Sequence, residues 1–299
     1  MKYLRLLFLI ACLFAGATAA QAQISVGITI KERFHLLHEP IIATVQITNQ
    51  TGHEITLSDT EQFQWFAFRI TLDNDRAIAP RNLHYHVPPL TVKAGETLRR
   101  TVDLTQLYEV SEVGMYRIAA NVYYDGLDKF YISKPGFVDI AEGRVVWRRI
   151  AGVPEGQPSA GQMRTFSLLQ YQHGDTSTLY VRVQDNEDGG IFCTFPTGRL
   201  LEGVPPQAEF DADNNLYVLQ LVGNRSYMLT KVTVDGKFAG QTPYSAPKAR
   251  PLLRKTPEGG LQIVGGQREQ PVAAQPVDDK PAPKLSDRPA GLPVGKPSN

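Results

Sequence analysis

The residues with the clearest chemical potential are His84-Tyr85-His86. On an extended segment two imidazoles spaced by one residue project to the same side, as two ligands of one zinc ion must. His35, His38 and His53 lie upstream, so five of the six histidines fall in the first half of the chain. A structural zinc site takes four defined ligands. Here only His84 and His86 share a spacing, and Pro88-Pro89 behind them predicts an exposed loop. They are weak metal candidates, and surface or packing imidazoles are the reading adopted.

Two acidic turns invite calcium. Asp211-x-Asp213-x-Asn215 opens like a calcium loop, but Leu216 stands where that loop needs glycine and Val222 where it needs a bidentate glutamate. Asp185-Asn186-Glu187-Asp188-Gly189-Gly190 reaches Pro196 at the closing position. Asp211, Asp213 and Asn215 are therefore weak candidates, and both segments are read as hairpin turns, where Asp, Asn and Gly supply positive φ and local hydrogen bonds.

Signatures of catalysis are missing. Ser159 sits in Gln157-Pro158-Ser159-Ala160-Gly161, with Gln where a nucleophile elbow needs Gly. His38-Glu39 continues into Pro40, and no phosphate-binding Gly-rich loop occurs. The expectation is no catalytic residue, no cofactor and no resident metal. Cys193, in the strand-like Ile191-Phe192-Cys193-Thr194-Phe195, reads as a small buried hydrophobe rather than a reactive thiol.

The elements that must carry these residues are strands. Alternation starts at Ile24, Val26, Ile28 and Ile30, returns at Ala43, Val45 and Ile47, and is clearest at Tyr116, Ile118, Ala120, Val122 and Tyr124. About seven short strands separated by turn residues predict an antiparallel two-sheet sandwich over residues 23–143. Within it, Gly114-Met115-Tyr116 predicts a corner at which the tyrosine hydroxyl returns to the backbone. Alternation also puts one of Tyr123 and Tyr124 inside, which weakens a sugar-stacking reading of Tyr123-Tyr124-Asp125-Gly126. Asn49-Gln50-Thr51 and Asn224-Arg225-Ser226 are glycosylation sequons by pattern.

Glu39-Pro40 leading a strand that ends at Asn49, then Phe66-Ala67-Phe68-Arg69-Ile70, then Leu90-Thr91-Val92-Lys93-Ala94-Gly95-Glu96-Thr97-Leu98, resembles the Ig-like bacterial proteinase-inhibitor domain. That resemblance implies an immunoglobulin-like sandwich and, as a sharper variant, protease inhibition. Beyond Gly143 a repeat begins. Leu179-Tyr180-Val181 recurs as Leu216-Tyr217-Val218, Gly198-Arg199-Leu200 as Gly236-Lys237-Phe238, and Gly259-Gly260-Leu261-Gln262-Ile263-Val264 is a fainter third copy. Spacing near 40 residues with several strands per unit is the propeller-blade pattern. Phe210 to Val218 followed by Lys231 to Lys237 resembles a blade of an NHL-type propeller. About three units fit in residues 144–267, fewer than closed propellers use, so an open stack against the sandwich is expected. The fold class is thus all-β.

Val145, Val146, Trp147 and Ile150 form an apolar run between the two parts. It is expected to be a strand of the repeat domain with Trp147 largely buried, and Arg144, Arg148 and Arg149 bridging to sandwich carboxylates.

Residues 1–22 read as a secretory leader: Lys2 and Arg5 are basic, Leu6 to Phe14 apolar, and Ala20-Gln21-Ala22 a small-residue cleavage site. Cys12, in Leu9-Ile10-Ala11-Cys12, resembles a lipoprotein box and is the less favoured alternative. Residues 268–299 hold 7 of the 21 prolines and read as a disordered tail. The chain carries 31 Lys+Arg against 30 Asp+Glu. That balance gives no bulk electrostatic reason to bind nucleic acid, and no transmembrane segment is expected. Together these features predict an exported, non-catalytic binding protein of the cell envelope, with a protein or an envelope polysaccharide as partner. The opposing reading is a polysaccharide- or envelope-acting hydrolase or lyase using dispersed carboxylates such as Asp211, Asp213 or Asp185.

Overall fold

The computed structural model of the chain describes residues 24–269, apart from 74, 83–85 and 202. The expected leader, His84 and nearly all of the proline-rich tail lie outside the described residues. Everything described is β-structure with little helix, in several sheets of which none closes.

The first part is a sandwich. Its strands are β1 (Ile24–Ile30), β2 (Phe34–Leu36), β3 (Ile42–Asn49), β4 (Ile55–Leu57), β5 (Phe66–Leu72), β6 (Arg76–Ala77), β7 (Leu90–Val92), β8 (Thr97–Asp103), β9 (Gly114–Tyr124), β10 (Lys129–Ile132) and β11 (Gly136–Ala141), with one helical turn, α1 (Leu104–Leu107). One sheet runs β1-β3-β8 and the other β2-β11-β9-β5-β6, with β10 on β9. The period-two pattern does what it implies: Ala43, Val45 and Ile47 face inward and are buried, while Thr44, Gln46 and Thr48 point outward between neighbouring strands. Strand pairing is antiparallel except between β2 and β11.

Four side chains lock this core through polar tips. Tyr116, with no exposed surface, donates its hydroxyl to Glu112 O at 2.9 Å, which is the corner the sequence suggested. Tyr108 donates to Phe68 O and accepts from Phe68 N. Trp65, passed over by the sequence reading, is also fully buried and donates its indole N–H to Val87 O at 3.0 Å. Asn49 is fully buried too; its amide donates to His53 O and Val92 O and accepts from Thr51. That sequon is structural.

The second part comprises β12 (Arg144–Gly152), β13 (Met163–His173), β14 (Thr176–Asp185) and β15 (Ile191–Arg199) in one sheet. Then come β16 (Gln207–Phe210), β17 (Leu216–Gly223), β18 (Ser226–Val232), β19 (Phe238–Ser245), β20 (Leu252–Lys255), β21 (Leu261–Val264) and β22 (Gln267–Arg268). Strands β16 to β19 with β22 form a five-stranded sheet, and the third copy is only the hairpin β20-β21. The repeated Leu-Tyr-Val falls on the third strand of one sheet and the second of the next, so the 37-residue spacing is shifted against the sheets. Phe166 of β13 meets Phe210 of β16 edge-on at 5.0 Å, inside a shared apolar core. Buried Gln220 stitches the two sheets, accepting from Thr197 Oγ1 at 2.6 Å and donating to Gly198 O and Arg199 O.

The joint between the parts is packed. Leu36 of β2, Leu169 of β13 and Tyr180 of β14 form one buried cluster. Gly143 passes so close that a Cβ there would stand 2.9 Å from both Leu169 and Leu36. The arginines do not act as expected. Arg144 bonds Gln170, Arg148 bonds Ser167, and Arg149 pairs with Glu209, all within the second part. Arg182 makes the polar bridge instead, donating to Leu37 O at 2.6 Å.

Truncating a fully buried leucine costs about 2–5 kcal/mol, and Leu36 sits where both parts need it. Calorimetry should therefore show one cooperative transition for the parent and two separated transitions for Leu36→Ala. Two transitions already present in the parent would contradict a rigid joint.

Candidate functional site

Beside the joint lies an open groove of about 1000 Å3. Glu142 and Arg144 line it where the chain leaves the sandwich, Gln170 and Tyr171 from β13, and Leu201, Gly203, Val204, Pro205 and Pro206 from the connection between the sheets, with Trp147 as its aromatic wall.

Trp147 reaches this position through a backbone irregularity. Val145 pairs with Leu169 and Trp147 with Leu168, leaving Val146 as the extra residue of a β-bulge in the edge strand β12. Bulges re-aim side chains and bend edge strands; here Val146 and Trp147 both line the groove. The indole lies 6.0 Å from the Phe210 ring, and the Arg149 guanidinium sits 5.5 Å from its centroid. Arg149 is held at 3.3 Å by Glu209, which also pairs with Lys255. The strand expected at 145–150 is therefore present, but Trp147 is half-buried rather than largely buried, while Val145 and Ile150 are exposed. The missing cover is the groove itself.

Behind the groove the joint contains buried titratable groups. Burial, opposed by the Leu36 N–H donated to it, pushes the Glu39 carboxyl up to about 7. His35 is buried with Nδ1 3.6 Å from Glu39 and without a hydrogen bond, while Nε2 faces Glu32 O. Burial holds the His35 imidazole below its usual range, and in His38, an exposed residue, partial desolvation with Arg182 and Arg81 also lowers it. Tyr180 is pushed far up by burial and by Glu39. These groups were not found from sequence because β2 and β14 are some 145 positions apart, and only the fold closes that loop.

The motifs singled out in sequence are dispersed. His86 Nδ1 lies 2.7 Å from Asp59 on the sandwich. Asp211 caps the β16-β17 hairpin by accepting from Asp213 N and Asn215 N, and it faces Lys231 at 3.8 Å. Asp185 is committed to Arg164, whose side chain is 2% exposed, at 2.7 Å. No group of three or more His, Cys, Asp or Glu suited to a metal occurs among the described residues. Cys193 is half-buried, and burial raises its thiol to about 11.

No family model matches the chain, and no curated protein matches it. Among solved structures, the sporulation control protein Spo0M from Bacillus subtilis matches over 59% of this chain and 91% of its own, at 9% identity and a TM-score of 0.28. A likeness at that level carries no argument.

Two outcomes follow from this electrostatic arrangement. A carboxyl raised in the folded state gives stability that is full below pH 4.5 and lost as pH rises to about 7. His35, lowered when folded, works in the opposite sense, losing stability as pH falls below 6.5. Glu39→Gln keeps the acceptor for Leu36 N–H and removes the charge. Its melting temperature should match the parent at pH 4.5 and exceed it at pH 8, by the equivalent of about 1–3 kcal/mol after allowing for residual solvent. A pH-independent difference would refute the buried carboxyl. Asp185→Ala leaves Arg164 buried without its partner and should cost about 3–5 kcal/mol by urea unfolding; a cost within that of an exposed pair, below about 1 kcal/mol, would reassign Asp185 to the surface.

Proposed function

We propose that the protein is an exported, non-catalytic binding protein of the cell envelope, and that its groove takes an extended polypeptide segment of a partner. One observation carries this reading: an open groove of about 1000 Å3 runs beside the edge strand β12 and is lined by a half-buried tryptophan. Edge strands offer unpaired backbone groups to an incoming chain, and Trp is favoured at protein-binding surfaces because its area comes with little entropy to lose. Among the described residues the lining contains one carboxylate, Glu142, where glycoside hydrolysis uses a facing pair. That balance favours binding over the hydrolase reading. The resemblance to the inhibitor domain remains a narrower form of the proposal, in which the partner is a protease.

The experiment places a photo-crosslinking residue at Gln172, on the groove wall, in the full chain. Irradiation with envelope extract should give a protease-sensitive adduct. Val204→Glu, which puts a charge on the facing loop, should reduce its yield at least tenfold. Adducts that resist protease but yield to glycosidases, or an unchanged yield with Val204→Glu, would overturn the proposal.

A further inference from the structure

We propose that the outer face of the β11-β9-β5 sheet, with β10, is a second and separate site, built for a short oligosaccharide that carries an acidic sugar at one end. It does not depend on the groove.

The outer face of a sandwich sheet is ordinarily covered by long polar side chains. Here its central strands present Ala67, Ala119, Asn121 and Thr71, which leave a trough. At one end the rings of Phe63, Tyr123 and Phe130 cluster. Tyr123 is buried beneath the other two at 4.9 and 4.8 Å, and Phe63 and Phe130 remain 39% and 40% exposed. Tyrosine 123 is thus the outward member of the Tyr123-Tyr124 pair, and it supports the platform rather than forming it. Rings that gather without being covered lose the burial that normally justifies them, and they offer a flat apolar surface to the C–H face of a pyranose.

Polar groups adjoin the platform inside a concavity of about 440 Å3. The Asn121 Oδ1 is buried and accepts no hydrogen bond, an arrangement that costs free energy unless a donor arrives. Asp59 and His86 stand at the rim, already bonded to each other at 2.7 Å, with Glu61 beside them. A ligand here brings hydroxyl donors and no anion, because the local carboxylates would repel one.

Along β9 the charge changes sign. Arg69 is level with Ala119, and Arg117 with Thr71, about 14 and 20 Å from Tyr123 at ~3.4 Å per residue. They edge a second concavity of about 230 Å3 whose lining also includes Ser133, buried at 5% exposure, and the carboxylate of Asp75, so that one guanidinium is in excess there. Arg117 has one loose pair, 3.8 Å from the 78% exposed Asp75, and Arg69 has none among the described residues. An unpaired guanidinium, with a second one lining the same pocket, suits a carboxylate or other oxyanion. A nucleic acid strand also combines stacking with anions, but it carries a phosphate at every step, including beside Asp59 and Glu61. A sparse acid at one end of a neutral sugar chain matches both ends of the trough.

The test titrates the full chain with a trisaccharide of two neutral hexoses ending in a single glucuronic acid and with the methyl ester of the same trisaccharide, by calorimetry. The acid form should bind at least tenfold more tightly. Arg69→Ala should abolish that difference by weakening the acid form alone, and Phe130→Ala should weaken both about tenfold. Both positions are exposed, and unchanged melting temperatures confirm folding. Arg254→Ala, on the β20-β21 hairpin, should change nothing. The proposal is overturned by an absence of saturable binding at millimolar sugar, by an acid preference that survives Arg69→Ala, or by equally tight binding of polyphosphate or of polyglutamate.

Discussion

The contact of Leu36 with Leu169 and Tyr180 is the constraint on which the rest of the molecule depends. Each part has its own core, yet neither fixes the other. This small apolar cluster, drawn tight at Gly143 and closed by the Arg182 bond to Leu37 O, turns two β assemblies into one body. The groove lies beside that union, with Glu142 from the end of the sandwich and the rest of its wall, from Trp147 to the loop before β16, from the second part.

The union has an electrostatic cost that the sequence absorbs locally. Bringing β14 against β2 takes His35, Glu39 and Tyr180 out of water together. A charged glutamate there would need a cationic partner, and the imidazole of His35, 3.6 Å away, is held below its usual range by burial. The joint is thus most comfortable with few charges, and Arg182 satisfies its own by facing a carbonyl and Thr194 rather than a carboxylate. Stability of the joint rests on packing with hydrogen bonds, which the desolvation argument favours over buried ion pairs.

Much of this architecture was legible in the residues. Alternation from Ile24 to Tyr124 located the principal strands, and Tyr116 announced its own hydrogen bond because a corner tyrosine needs only local geometry. Repeats announced an open, multi-sheet second part. What escaped reading was long-range: Trp65 carries no local pattern, the bulge at Val146 shows only in the register of β12 against β13, and the pairing of Arg182 with Leu37 depends on where two distant strands meet. The arginines of β12 misled for the same reason, since charge alone does not say which neighbouring sheet supplies the partner. Site residues were the least legible, because Asn121, Phe63 and Arg69 become one surface only when β9 lies between β5 and β10.

The buried Asn49 amide has a consequence for where this chain can be made. Its nitrogen already holds two backbone carbonyls inside the sandwich, so a folded copy has no space for a sugar on that atom. A secretory route that attaches glycans to Asn-x-Thr before folding would put a bulky, hydrated group where β3 and β7 close. Each copy so modified would be excluded from the native state, and yield would fall with occupancy. The fold is suited to a host that leaves asparagine bare, and in a glycosylating host the change Thr51→Ala would give up the hydroxyl's contacts with Asn49 Oδ1 and His53 O for escape from that trap.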